Sequence, residues 1–256
     1  MRFRKLYLHK ANVISALKKM VDFENQLLLL YKDFNLDLRD NTGRRNMLLS
    51  QAQESFFSDE ISSLGYDVVH LGKTGEPDIV IKCIGKEVEC KLTSAGNSSW
   101  PLQCDYATLS RKGSSDFLYV LSDRNFSKFA VLLFENLSVE DFHLPAPGSR
   151  QKSRMNKASA MKKCRILHGK VSDKSKFYYT KYSNDLQIEN QKMTNRFQEL
   201  ETRIKNASTE NKKNCAQRIL KNERMRFLKK EANLMEKISY WSHSHPRYEI
   251  SLLQLD

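Results

Sequence analysis

Residues 75–92 read GEPDIVIKCIGKEVECKL, and two short apolar runs in this stretch are joined by the segment CIGKE. Val and Ile dominate both runs, which is typical of β-strands, and the Gly between them predicts a tight turn. Because side chains on a strand alternate between its two faces, Glu89 and Lys91 project from the same face. The stretch therefore predicts a β-hairpin that brings Asp78, Glu89 and Lys91 together near its open end.

The sequence around this hairpin predicts an α/β core. Apolar residues at helical spacing predict two helices, over residues 11–32 and 44–64. The apolar face of the second helix consists of Leu48, Ala52, Phe56, Ile61 and Leu64, with Gly65 just beyond it. Short runs rich in Val, Ile, Phe and Tyr predict strands over 66–71, 78–84, 86–92, 116–121 and 129–134. We interpret residues 1–43 as an N-terminal helical region and 44–145 as the core.

The C-terminal part, residues 183–256, predicts long helices instead of strands. A narrow apolar seam recurs along two stretches, formed by Leu186, Met193, Phe197, Leu200, Ile204, Ala207, Ala216, Leu220, Phe227, Leu234 and Ile238. Either seam alone would expose apolar surface, so we expect the two helices to fold back on each other as a hairpin. Dimerisation through the seam is the alternative. The end of the chain, residues 245–256, is interpreted as a terminal strand.

The net charge indicates a polyanionic partner. The chain carries a formal charge of +13 and has a pI near 9.5. Residues 150–181 alone hold eleven Lys or Arg and one Asp. Met, Ile, Phe and Tyr are interleaved with these bases, which a solvated tail does not need. We therefore expect 146–182 to be a folded segment that faces phosphate groups, with nucleic acid as the first candidate partner and an acidic membrane surface as the second.

Cysteine usage and hydropathy predict a soluble cytoplasmic protein. The five cysteines form no CxxC pair and have no His at zinc-finger spacing, which argues against a disulfide framework and a structural metal. Lys18, Lys19 and Asp22 interrupt the opening stretch, which otherwise begins like a signal peptide. The run QLLLLY is far too short to cross a bilayer. We expect no membrane association.

The pair Asp78 and Glu89 points to a metal site. Two carboxylates placed close together in a partly buried position repel each other and lose hydration. Mg²⁺ offsets this cost, because it prefers oxygen ligands and is commonly held by one or two carboxylates with water and substrate phosphate. An ammonium group beside the metal, at Lys91, can orient an attacking water and counter the charge of the transition state. The residues therefore predict a Mg²⁺-dependent phosphodiesterase site.

The spacing of these residues resembles a known nuclease family. Pro77-Asp78, ten residues, and then Glu89-Cys90-Lys91 is similar to the motif of the PD-(D/E)XK restriction-endonuclease-like nucleases. The resemblance covers the hundred-residue core and implies a mixed sheet flanked by helices. It also implies Mg²⁺-dependent hydrolysis that leaves 5′-phosphates, with Asp78 and Glu89 as metal ligands and Lys91 as the catalytic lysine. Relatives often supply an extra carboxylate from the preceding helix, here Glu54.

The surrounding elements suggest which kind of nuclease this is. The basic segment is suited to contact phosphates and base edges of double-stranded DNA. The candidate DNA-binding residues are Arg150, Lys152, Arg154, Asn156, Lys157, Lys162, Lys163 and Arg165, with Gln103 after the third strand. Together these elements suggest a dedicated DNA endonuclease that most resembles a type II restriction enzyme and acts as a homodimer.

Three other interpretations remain open at this stage. A nicking or repair endonuclease of the same fold would cut one strand. A non-catalytic DNA-binding protein with a coiled-coil interaction surface would explain the charge and the long helices. In the third, Asp78, Glu89 and Lys91 are surface charges on an edge strand. His70 is interpreted as a core or edge residue, and Glu87 as a solvent-exposed turn residue.

Overall fold

The hairpin predicted over residues 75–92 is present in the computed structural model, which describes residues 6–70, 76–94, 100, 102–146, 152–242 and 248–255. The chain divides into two compact units, Met1–Ser172 with Glu249–Asp256, and Asp173–Tyr248. The first unit contains a mixed sheet flanked by helices, and the second contains two long helices. Among the described residues, none of the helices has the length and apolar character needed to cross a bilayer.

The central sheet contains seven strands, and the hairpin lies inside it. Its strands are β1 (Val68–His70), β2 (Ile79–Ile81), β3 (Lys86–Ser94), β5 (Ser114–Ser122), β6 (Lys128–Ser138), β8 (Cys164–His168) and β11 (Leu253–Gln254). The order is β1-β2-β3-β5-β6-β11, with β8 also paired to β6. β3 and β5 run parallel and the other pairs are antiparallel. All five predicted core strands are confirmed, with shorter bounds for β1 and β2.

A short helix makes the crossover that the parallel pair requires. This helix, α3 (Tyr106–Lys112), begins where the Asp105 side chain accepts a hydrogen bond from the backbone N–H of Thr108 at 2.8 Å. It ends at Gly113, whose φ of 79° suits a residue without a Cβ. Two further strands, β4 (Gln103–Asp105) and β7 (Lys152–Arg154), pair in a separate small sheet beside it.

Two helices cover the opposite face of the sheet. They are α1 (Lys10–Asp33) and α2 (Thr42–Ser63), close to the predicted bounds. The predicted apolar face of α2 is partly wrong, because Leu48 is 39 % exposed and Leu49 is fully buried instead. Leu49 lies one turn before buried Gln53, whose Nε2 donates to the backbone oxygen of Leu118 at 3.2 Å, so both residues lie on the face of α2 that contacts the sheet.

The buried carboxylate of Glu60 holds α1 against α2. Its oxygens accept hydrogen bonds from Ser15 at 2.6 Å, Lys19 at 2.8 Å and Asn12 at 3.3 Å. These partners hold the pKa of Glu60 below its usual value in spite of burial, which raises it. The two helices therefore present one fixed surface to the sheet.

The basic segment contributes to the core of the first unit. After α4 (Lys157–Ala160), strand β8 pairs with β6, and β9 (Lys170–Asp173) follows. β6 is eleven residues long, and β11 pairs only with Lys128 and Phe129 at its start. Farther along β6, β8 supplies the hydrogen-bonding partners. The sheet therefore extends beyond residue 145, the end predicted for the core.

The end of the chain returns to the first unit. Strand β10 (Tyr248–Ser251) pairs with β9, and β11 completes the central sheet, so the predicted terminal strand is confirmed. Buried His168 helps to hold this return, because its Nε2 lies 3.2 Å from the backbone oxygen of Leu253.

The second unit is the predicted helical hairpin. Its helices are α5 (Ser175–Lys205) and α6 (Glu210–Tyr240), and Thr209 caps the second by accepting from the N–H of Lys212. Every predicted seam residue is at least half-buried, and Leu200 and Leu234 are buried. The rings of Phe197 and Phe227 meet edge to face at 6.3 Å across the seam.

Candidate active site

Asp78 immediately precedes β2, at the open end of the hairpin. Its Oδ2 accepts a hydrogen bond of 2.7 Å from the backbone N–H of Cys90 on β3. Ile79 pairs with Val88, so continuing the antiparallel register by one residue places Asp78 opposite Glu89. The carboxylate of Asp78 is therefore hydrogen-bonded to the backbone at Cys90, between Glu89 and Lys91. The predicted convergence of the three residues is present.

Glu89 and Lys91 lie on β3 just beyond Val88, where its pairing with β2 ends, and within the part that pairs with β5. Glu89 is opposite Phe117 and Lys91 is opposite Tyr119 in the parallel pair, on the face covered by α3. Lys91 Nζ lies 3.3 Å from Glu89 Oε2, and the two side chains are 35 % and 14 % exposed. β3 is an interior strand, and beyond Val88 its edge toward β2 carries the hydrogen bond from Cys90 N–H to Asp78 in place of a strand partner.

Burial and neighbouring charges shift the protonation of this site. Burial raises the pKa of Asp78 to about 6, with a further increase from Glu89 and a decrease from Lys91 and from the N–H of Cys90. For Lys91, burial lowers the pKa, but the carboxylates of Glu89 and Asp78 outweigh this effect and the net shift is upward. At neutral pH Lys91 is therefore a cation, and Asp78 ionises only above its usual range.

The predicted extra carboxylate, Glu54, is paired with a histidine. Glu54 Oε2 lies 3.1 Å from His70 Nε2, where α2 packs against β1. The charge of Glu54 also helps to raise the pKa of Asp78, so it acts on the same site. His70, interpreted from the sequence as a core or edge residue, therefore contacts the third candidate carboxylate of the site.

A second lysine, absent from the sequence-based site, contacts Glu89. Lys112 is the last residue of α3, and its Nζ lies 2.9 Å from Glu89 Oε1 and 3.5 Å from Glu87 Oε2. Each oxygen of Glu89 therefore has its own ammonium partner. The alternation of β3 relates Glu87 to Glu89, but Lys112 is distant in sequence, and only the crossover brings it here.

The oxygen donors fit a hard divalent cation that is bound mainly by water and substrate. Asp78 and Glu89 supply two carboxylates, and the raised pKa of Asp78 shows that its charge lacks full compensation. Among the described residues, no group of three or more His, Cys, Asp or Glu is arranged to hold a metal ion. These donors match Mg²⁺, which commonly takes one or two carboxylates together with phosphate and water, better than an all-protein cage.

Several predicted DNA-binding residues have structural partners. Lys163 Nζ lies 2.6 Å from Asp141 Oδ2, and Arg165 Nη2 lies 2.9 Å from Glu135 Oε2. Asn156 caps α4 by accepting from the N–H of Ala158. Burial lowers the pKa of Lys157. These contacts hold the segment in its folded form.

The remaining predicted residues of the basic segment lie in different surroundings. Lys162 is exposed, and Arg154 is exposed on β7 opposite Gln103 on β4. Lys152 lies on the same strand, opposite Asp105. Arg150 lies outside the described residues.

The helical hairpin carries a basic face that the sequence analysis did not assign. Its ion pairs include Arg196 and Arg203 with Glu199, Arg224 with Glu201, and Lys230 with Glu189. Within the described part of the chain, six exposed bases of α6 have no acidic partner within salt-bridge distance, namely Lys212, Arg218, Lys221, Arg226, Lys229 and Lys237. Arg218 and Lys229 are each two residues from a seam residue, which places each of them about 200° around the helix from that seam residue.

Comparison of the chain with protein-family models, with curated proteins and with solved structures finds no match in any of the three.

Proposed function

We propose that this protein is a metal-dependent nuclease that hydrolyses phosphodiester bonds of double-stranded DNA and leaves 5′-phosphates. The proposal depends mainly on one observation. Asp78 accepts a hydrogen bond from the backbone N–H of Cys90, the residue between Glu89 and Lys91, whose side chains contact each other. Carboxylates whose pKa is raised by burial cluster at functional sites, and the raised pKa of half-buried Asp78 supports the proposal. The net charge of +13 supports a polyanionic substrate.

Each residue has a defined role in this proposal. Asp78 and Glu89 would hold a Mg²⁺ ion, which when bound polarises the phosphodiester and lowers the pKa of a bound water. Lys91, kept cationic by the two carboxylates, orients the attacking water and offsets the negative charge that develops on the phosphate. The peptide N–H of Cys90 fixes the orientation of Asp78 through its hydrogen bond. Glu54 is placed to add negative charge near the site.

The pH dependence of cleavage should follow Asp78. Its pKa is raised to about 6, so the carboxylate is protonated and unable to bind metal below that pH. We expect log(kcat/KM) to rise with a slope of about one up to about pH 6 and then to level off. The raised pKa of Lys91 predicts no decline near neutral pH. Initial rates measured in buffers of constant ionic strength test this, and a flat profile between about pH 5 and 7 would contradict it.

The basic face of α6 supplies a candidate surface for DNA phosphates. We expect the double variant Arg218→Gln/Lys229→Gln to weaken duplex binding and to reduce the slope of log K against log[salt] by about two, one for each lost phosphate contact. The matched control is Arg196→Gln/Arg203→Gln, which removes two bases already paired with Glu199. A slope that is unchanged in the first variant, or equally reduced in the second, would assign DNA binding to another surface.

Incubation of supercoiled plasmid with the protein and Mg²⁺, with and without chelator, tests the proposed function. Discrete fragments support a sequence-specific endonuclease of the type II restriction class, for which a homodimer is the expected form because both strands are cut. Open circles support a nicking or repair endonuclease, the second candidate. A mobility shift with no cleavage in any divalent metal would reject the enzyme and favour a DNA-binding protein.

A further inference from the structure

We propose that Lys112 is a positioning residue that neutralises Glu89 in the metal-free protein and moves to the substrate phosphate when a divalent cation and DNA bind. The inference rests on the proposed function. It concerns a residue that lies on α3, outside the β2–β3 hairpin. Its geometric basis is the contact of 2.9 Å between Lys112 Nζ and Glu89 Oε1.

Lys112 contacts a carboxylate oxygen of Glu89 that a metal ion would bind. Lys91 lies at 3.3 Å from Glu89 Oε2 and Lys112 at 2.9 Å from Oε1, so both oxygens are engaged. An ammonium and a divalent cation on the same carboxylate repel each other. Metal binding at Glu89 is therefore opposed by both lysines, and release of one of them lowers this cost.

The structure favours displacement of Lys112 over Lys91. Glu87, on the same face of β3, already lies 3.5 Å from Lys112 Nζ and is 44 % exposed, so the ammonium has a second carboxylate within reach. Lys91 lies beside Glu89 and next to Cys90, whose N–H holds the Asp78 carboxylate, so two carboxylates attract it. Lys112 also has a long side chain and lies in the last turn of α3. The backbone of this turn is held by a hydrogen bond from the N–H of Gly113 to the backbone oxygen of Leu109. The side chain can move while its backbone stays fixed.

The charges around the site indicate where the ammonium of Lys112 would move. Above the pKa of Asp78, the carboxylates of Asp78, Glu87 and Glu89 carry one more charge than the ammonium groups of Lys91 and Lys112 in the metal-free protein. A divalent cation adds two positive charges, which releases an ammonium for an anion. A phosphate group of the DNA backbone beside the metal supplies that anion. Lys112 would then add to substrate binding only when metal is present.

The first measurement is Mn²⁺ binding to the full-length protein without DNA, by titration calorimetry or electron paramagnetic resonance. We expect Lys112→Met to bind Mn²⁺ at least about fivefold more tightly than the unaltered protein, because fivefold is the scale of an exposed ion pair and these two side chains are only 17 % and 14 % exposed. Arg111→Met is the matched control, because Arg111 is the preceding residue of the same helix and is exposed. An affinity that is equal in the two variants, or no Mn²⁺ binding by either, would overturn the inference.

The second measurement separates positioning from packing. With Ca²⁺ as a metal that supports binding, Lys112→Met should weaken duplex binding severalfold, whereas with chelator it should leave binding unchanged. Lys112→Arg should restore part of the Ca²⁺-dependent affinity, since it keeps the charge. Equal weakening with Ca²⁺ and with chelator would contradict a metal-dependent movement.

The outcomes distinguish this inference from the nuclease proposal. Tighter Mn²⁺ binding by Lys112→Met in a protein that does not cleave DNA would support the role of Lys112 and reject the nuclease. Cleavage by the unaltered protein, together with unchanged Mn²⁺ affinity in Lys112→Met, would support the nuclease and reject the role of Lys112.

Discussion

Asp78→Asn and Lys91→Met are each expected to lower the rate of DNA cleavage by about a thousandfold or more, because several kcal/mol of transition-state stabilisation are lost with the metal ligand or the ammonium. Asn at position 78 retains an oxygen that can accept from the N–H of Cys90 at 2.7 Å, so the hairpin should remain folded. Single-turnover cleavage of a labelled duplex measures the loss. Binding to the same duplex in Ca²⁺ or chelator should be retained in both variants.

Stability offers an internal check on Asp78→Asn. The pKa of Asp78 is about 6 in the folded protein, above its ordinary value of 3.8. A raised acid pKa means that its contribution to stability is complete below pH 3.8 and is lost as the pH rises through about 6. At pH about 8 the neutral amide should therefore leave the metal-free protein as stable as before, or more stable. Loss of cleavage in this variant would then reflect chemistry instead of unfolding.

Suitable controls lie close to the site in sequence. Glu76 is an exposed acid two residues before Asp78, and Lys82 is an exposed base just after β2. Glu76→Gln and Lys82→Met change the same charges nearby and should keep cleavage within a few-fold of the unaltered protein. If Asp78→Asn behaved like Glu76→Gln, the assignment of the metal ligands would be wrong.

Asp116→Ala is expected to reduce the free energy of unfolding by about 3–5 kcal/mol, the cost of breaking a buried ion pair by removing one partner. Asp116 is 1 % exposed and lies on β5 where the register with β6 shifts between Ser115 and Phe117. Its Oδ1 accepts from Lys86 Nζ at 2.9 Å and from the N–H of Asn136 at 2.8 Å. Its Oδ2 accepts from the hydroxyl of Tyr7 at 2.9 Å.

These contacts join four parts of the first unit. Lys86 begins β3, Asn136 lies on β6 with a φ of 53°, and Tyr7 precedes α1. Burial, and then the charge of Asp116 and its hydrogen bond, raise the pKa of Tyr7, so the hydroxyl remains a donor throughout the physiological range. Removal of the carboxylate leaves three donors without their acceptor, in a position from which water is largely excluded.

Urea unfolding followed by circular dichroism measures this effect. Asp59→Ala is the matched control, because Asp59 lies exposed on α2 and should change stability by no more than about 0.5 kcal/mol. Asp116→Asn should fall between the two, since it loses the charge but keeps one acceptor. A loss below about 1 kcal/mol for Asp116→Ala would show that the network contributes little.

The hairpin and its polar residues could be predicted from local sequence because strand alternation is a short-range property. Residues two apart on β3 share a face whatever the rest of the chain does, and the tight turn places Asp78 beside them. The seams of α5 and α6 were predictable for the same reason. Their spacing repeats over several turns of each helix, from Leu186 to Ile204 and from Ala216 to Ile238, which overrides local exceptions.

Other features depend on contacts between distant parts of the chain. Lys112 looks like an ordinary helix C-terminal base, and only the crossover between β3 and β5 brings it to Glu89. β8 lies in a basic stretch and carries Arg165 and an exposed Ile166, so its pattern does not show that it pairs with β6. On α2, Leu49 instead of Leu48 shares the buried face with Gln53, whose hydrogen bond to Leu118 joins distant parts of the chain.

The most direct test of the central claim is an anomalous-scattering map from crystals of the protein grown with Mn²⁺ and duplex DNA. We expect a metal peak about 2.0–2.2 Å from carboxylate oxygens of both Asp78 and Glu89, the distance range of a small hard cation with oxygen ligands. A DNA phosphate should lie beside that metal and within reach of Lys91. A structure in which DNA is bound but both oxygens of Glu89 remain on Lys91 and Lys112, with no metal at Asp78, would contradict the account.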